Sequence, residues 1–160
     1  MKARVGILLG VVLSAVITAG VLAQAKPNFS GEWTLIPEKS DFGPMPTPTT
    51  LTRTITHADP ALKIVVVQGG AAVGDSTVTL NVSTDGKPHT NDVTGNSMTT
   101  TGKWDGSAIV LTSELSMQGT NVHVEDRLEM SDAGKTLTIT RRFATPEGEA
   151  SARVVMKKTK

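Results

Sequence analysis

The 160-residue chain contains no cysteine. That excludes a disulfide framework, a thiolate metal site, a cysteine nucleophile and a lipid-modified cysteine anchor. Charge is scarce too, at 19% of residues, and neither sign dominates. With Lys2 and Arg4 set aside, residues 26–160 hold 14 basic and 15 acidic side chains, a net charge of −1. A near-neutral domain lacks the positive field with which nucleic-acid binders displace phosphate counterions. At 38% hydrophobic residues the chain is neither a disordered tail nor a multi-pass membrane protein, and its length argues for one domain. Catalytic and metal motifs are missing as well. His57, His89 and His123 are far apart, with no spacing that puts two on one face, so no metal is implied. No G-x-S-x-G elbow marks an acyl-transfer serine. The run Gly69-Gly70-Ala71-Ala72-Val73-Gly74 lacks the lysine and spacing of a phosphate loop and reads as a hairpin turn. Neither a catalytic residue nor a cofactor follows from these motifs.

One long apolar run is present. Lys2 and Arg4 precede 18 uncharged residues, Val5 to Leu22, and Ala23-Gln24-Ala25 follows. A basic start, an apolar middle and small residues at a cleavage site are the three parts of a secretory signal peptide, here residues 1–25. An anchor helix is the competing reading, but Gly6, Gly10, Ser14, Thr18 and Gly20 dilute the run. Cleavage after Ala25 would leave residues 26–160 as a single domain without a membrane span, in the periplasm or outside the cell.

That remainder shows no sustained helical periodicity. It holds 22 threonines, and turn signals recur every eight to twelve residues. Ten strands are expected, over 30–36, 49–57, 61–68, 75–83, 88–93, 98–104, 107–115, 121–131, 136–143 and 150–158. Short links such as Asp85-Gly86, Asp105-Gly106, Asp132-Ala133-Gly134 and Pro146-Glu147-Gly148 favour hairpins, hence an antiparallel up-and-down meander. The segment Pro37 to Pro48, with four prolines, reads as an ordered loop. Each strand has one apolar and one polar face: Val78, Leu80 and Val82 alternate with Thr77, Thr79 and Asn81. Closing such a meander into a β-barrel removes its two open edges. Eight strands already give an interior that side chains just fill. Ten strands lined by Val, Leu, Ile, Ala and Met should leave vacant space.

Asn28-Phe29-Ser30-Gly31-Glu32-Trp33, followed by Lys39-Ser40-Asp41-Phe42, resembles the opening of lipocalins and fatty-acid-binding proteins, the calycin group of meander barrels. The hairpin Lys103-Trp104-Asp105-Gly106 and the count of ten strands add to the resemblance, which marks Gly31 and Trp33 as the barrel signature. It implies carriage of a small hydrophobic molecule inside the barrel; an acidic, lipid-like ligand and a monomeric chain are further expectations. It also implies that Trp33 closes one barrel end beneath a cation from the last strand. Arg153 is the candidate cation, although Ala152, Val154 and Met156 form the more apolar set and would turn it outward. Direct contact of Trp33 with ligand is the other reading. The chain departs from fatty-acid-binding proteins in two ways. Its proline-rich 37–48 segment cannot form their helix pair, and with no tyrosine it lacks their R-x-Y on the last strand. Bacterial secreted lipocalin-like proteins are the nearer likeness.

Polar residues on apolar strand faces must find partners. Arg53 and His57 share a face with Leu51 and Ile55, and Arg141 lies between Ile139 and Phe143. With Arg153, these are the candidate ligand-binding residues, since a guanidinium can hold an acidic head group through two parallel hydrogen bonds. Register offers Arg141 an alternative: if Ser131 pairs with Thr136, Asp126 faces Arg141 and neutralises it. Arg53 has no such partner, but its strand end could face outward. His57 adjoins the Ala58-Asp59-Pro60 turn, which suits a rim histidine. Two other functions stay open: a solid-cored interaction module of the cell envelope, and an enzyme using His57 with Asp59 as an acid–base pair.

Overall fold

A computed structural model describes residues 26–117, 119–145 and 148–160. The candidate signal peptide and the Pro146-Glu147 part of one expected turn lie outside the described residues. Ten strands form: β1 (Gly31–Leu35), β2 (Thr50–Ala58), β3 (Ala61–Gly69), β4 (Ser76–Ser83), β5 (His89–Val93), β6 (Asn96–Asp105), β7 (Ala108–Met117), β8 (Thr120–Ser131), β9 (Thr136–Thr145) and β10 (Gly148–Lys158). Each begins and ends within two residues of its expected position. β2 illustrates why: its threonines Thr50, Thr52, Thr54 and Thr56 are exposed, while Leu51, Arg53, Ile55 and His57 between them are buried.

All pairs are antiparallel, in the order β4-β3-β2-β1-β10-β9-β8-β7-β6-β5. β1 pairs with β10, so the first and last strands close the meander and the two sheet edges, β4 and β5, face each other. The barrel is nearly closed. No ladder joins β4 to β5. Instead the Asn91 carboxamide substitutes for one: its Oδ1 accepts the Asn81 amide at 2.8 Å and its Nδ2 donates to the Asn81 carbonyl at 3.2 Å. Asn91 is buried, and both backbone groups of Asn81 are satisfied across the seam.

The interior divides into two halves. At one end Phe29, Trp33, Leu62, Ile64, Ile109, Leu128, Leu137 and Met156 are almost wholly removed from water and pack into a solid core. Trp33 plugs this end, its indole N–H donating to the Phe29 carbonyl at 3.1 Å. The cation over its ring is Lys158, at 5.4 Å, and not Arg153. Gly31 is needed here: at φ +147° it lies where side chains are strained, and a Cβ would come within 2.6 Å of the Lys160 carbonyl oxygen.

Toward the other end the segment between β1 and β2 crosses the barrel mouth. One three-residue 3-10 turn, Pro37–Lys39, takes the place of any helix pair. Ser40 and Asp41 strap the segment to β10: the Asp41 and Arg153 backbones exchange two hydrogen bonds, and the Ser40 hydroxyl accepts the Val155 amide at 2.9 Å. Phe42 and Pro48 are buried beneath the strap.

Candidate functional site

Behind Phe42, Met45 and Pro48 lies a cavity of about 370 Å³, within the size range of small-molecule sites. Leu51, Val66, Val78, Leu80, Met98, Leu115, Val122, Val124, Ile139 and Val154 supply most of its wall. These are the mid-sized aliphatic groups whose volume falls short of filling a ten-stranded barrel. Uncharged polar groups in the wall are Gln68, Ser76 and Ser113. Ser113 shares a 2.8 Å hydrogen bond with buried Thr100, which satisfies both hydroxyls. A larger depression of about 530 Å³ lies on the outer face of β8–β10. His123, Glu125, Arg142 and Glu149 border it, a solvated and charged setting that removes little apolar surface from water.

Two of the four candidate residues reach the interior cavity. On β8 and β9, Ser131 pairs with Thr136, which sets Asp126 opposite Arg141. Arg141 donates from Nε and Nη2 to the two Asp126 carboxylate oxygens, a bidentate pair. Burial would lift the Asp126 carboxyl, but the charge and hydrogen bonds of Arg141, with Arg53 beyond, outweigh it and hold the carboxyl below its ordinary range. Burial also works against the Arg141 guanidinium, and Asp126 reverses that effect. Both groups are ionised, and their charges cancel.

Arg53, on β2, differs. It faces inward at 6% exposure and lines the cavity, and its side chain makes no hydrogen bond to any described residue. Its Nε is fully enclosed and unpartnered. Burial first, and the like charge of Arg141 second, bring its pKa down to about 10, with Asp126 opposing. It therefore keeps its proton at neutral pH. An ionised, unpartnered guanidinium on an apolar cavity wall can receive an anion through its fork of donors.

The other two candidates lie elsewhere. Arg153 is exposed on the outer face of β10, because Ala152, Val154 and Met156 take the inward positions; its Nη1 donates to the Lys39 carbonyl at 3.3 Å. Neither ligand contact nor the lid of Trp33 falls to it. His57 is buried in the solid end, between Phe29 and Trp104, with ring centroids 6.0 and 5.6 Å away. Its Nδ1 accepts the Phe29 amide at 3.2 Å, which places the ring proton on Nε2, and burial lowers its pKa against the pull of Asp59. Nε2 stands 3.9 Å from Asp59 Oδ1, too far for a hydrogen bond. Asp59 itself is engaged by Thr84 and by the Trp104 indole. The His57–Asp59 pair has no opening to the cavity wall, so it does not form the convergent acid–base site considered for an enzyme.

Sequence reasoning missed the strap, the lid residues Phe42 and Met45, and the seam residue Asn91. Asn91 carried a signal: it shares its strand face with Val93, a buried-side position for a polar amide.

No family model and no curated protein matches the chain. Solved structures do. Secretory abundant heat soluble protein 4 from Ramazzottius varieornatus matches at TM-score 0.56 and 13% identity, over 86% of this chain and 99% of that one. Zebrafish ileal bile-acid-binding protein, complexed with cholic acid, matches at TM-score 0.53 and 15% identity, over 82% and 98%. A Schistosoma mansoni fatty-acid-binding protein in complex with arachidonic acid matches at TM-score 0.53 and 12% identity, over 82% and 96%. At such identities the likeness is one of fold, and the fold is that of the ten-stranded, calycin-type antiparallel barrel.

Proposed function

We propose that this chain is an exported carrier of one small hydrophobic molecule with an acidic head, held in the hollow half of the barrel as a monomer. The observation that carries the reading is Arg53, a charged guanidinium without a hydrogen-bond partner among the described residues, on the wall of an apolar cavity of about 370 Å³. Burying an uncompensated cation is unfavourable, and an incoming anion removes that cost. Two proteins of the same fold carry acids in their structures, cholic acid and arachidonic acid. The signal-peptide pattern of residues 1–25 supports delivery to the periplasm or the exterior. A filled interior, which the envelope-module alternative requires, does not match the hollow half.

Titration of a bound environment-sensitive probe tests the reading. Medium-chain fatty acids should displace the probe at micromolar concentration. Replacing Arg53 with methionine should weaken an acid about tenfold or more while leaving the matching alcohol nearly unchanged. Absence of any displaceable binding would contradict the carrier; equal binding of acid and alcohol would contradict the role of Arg53.

A further inference from the structure

The cavity carries a definite charge count. Three ionisable side chains meet at it: Arg53 from β2, Arg141 from β9, and Asp126 from β8 behind Arg141. The remaining polar wall residues, Gln68, Ser76 and Ser113, are neutral. Two cations and one anion leave a surplus of one positive charge, and it is localised. Asp126 occupies the Nε and Nη2 donors of Arg141 in a bidentate pair, whereas the enclosed Nε of Arg53 has no hydrogen-bond partner among the described residues.

We infer that Asp126 is a specificity-determining residue that restricts the cavity to ligands with a single negative charge, excluding head groups that carry two. The inference rests on the carrier reading above. A monoanion, such as a carboxylate or sulfonate, meets Arg53 and brings the buried charge to zero. A dianion, such as a phosphate monoester, leaves one negative charge uncompensated in an apolar enclosure. The Arg141 donors that Asp126 leaves free could hydrogen-bond to it, but the charge of Arg141 is already balanced by Asp126 in the bidentate pair. Either way the second charge has no cation to receive it. Without Asp126, both arginines would be free, and the same wall would suit a phosphate monoester.

Two ligands with the same chain separate the charge count from hydrophobicity. Dodecanesulfonate carries one charge at any working pH. Dodecyl phosphate carries one at pH 5 and two at pH 8.5, its second ionisation lying near pH 6. Both are titrated by calorimetry below their micelle-forming concentrations, with dodecanol displacing a bound probe as the uncharged control. Wild-type protein should bind the sulfonate alike at the two pH values. It should bind the phosphate about tenfold or more weakly at pH 8.5 than at pH 5. The variant Asp126→Asn should abolish that loss. The two wild-type arms decide the matter even if the variant fails to fold. Equal binding of phosphate at both pH values overturns the charge count while leaving the carrier reading standing. Failure of all three molecules to bind overturns the carrier reading and this inference together.

Discussion

Arg53 and Arg141 are the same residue type in the same interior, yet their roles in stability are opposed. Arg141 is paired, so removing it strands the Asp126 carboxylate; Arg141→Met should destabilise the protein by about 3–5 kcal/mol. Arg53 has no such partner, and burial disfavours its protonated form, bringing its pKa down to about 10 in the folded chain. Arg53→Met should therefore stabilise the ligand-free protein by about 1–3 kcal/mol in urea unfolding while impairing acid binding. The gain should hold from pH 5 to 9, where Arg53 is protonated in both folded and unfolded chains. It should shrink above about pH 10, where the folded wild type sheds that proton first. Asp126 acts at the other end of the scale. Its carboxyl is depressed on folding, so its contribution is complete above the unfolded value of 3.8 and is lost as pH falls through the lower folded value. Stability of wild type relative to Asp126→Leu/Arg141→Met, measured in urea, should be flat from pH 7 to 5 and decline below about 4. A wild type destabilised by Arg53→Met would contradict the view of Arg53 as a binding group kept at a cost to stability.

Among the elements, strand positions were legible because β-branched residues alternate and turn residues recur at short intervals. The β8–β9 register was legible too, since a single hairpin turn fixes every pair beyond it, Asp126 with Arg141 included. Features that depend on strands distant in sequence were not. Whether Arg53 faces in or out depends on how β2 sits between β1 and β3. The cation over Trp33 is Lys158 because it continues the alternate positions of Ala152, Val154 and Met156 and the β1–β10 register sets it opposite Trp33. The β4–β5 seam was equally hidden, and it yields a sharp expectation. Asn91→Ala removes both bonds to Asn81, where solvent can replace them, so the cost should be about 0.5–1.5 kcal/mol. Hydrogen exchange should show the Asn81 amide losing protection ahead of amides within the β2–β3 ladder. Unchanged protection would mean that the seam does not depend on the carboxamide.

At the scale of the molecule, one end is solid and the other hollow. The large side chains Phe29, Trp33 and Trp104 gather at the solid end, leaving mid-sized aliphatic groups to line the other. Composition announced too little interior volume to fill ten strands, but not where the space would lie, because that depends on which end receives the few aromatics. The strap of Ser40 and Asp41 on β10 then sets Phe42 over the hollow half. The proposed export adds an expectation at this scale: the mass of the mature chain should correspond to an N-terminus at Lys26, and a retained residue 1–25 segment would contradict cleavage. The central claim is that the hollow half receives a hydrophobic guest whose single negative charge rests on Arg53. A crystal structure of the protein with dodecanesulfonate tests it most directly. The account predicts the alkyl chain among Leu80, Met98, Leu115 and Val124 with the sulfonate oxygens within hydrogen-bonding distance of Arg53; a sulfonate turned to solvent, or an interior closed without a guest, would contradict it.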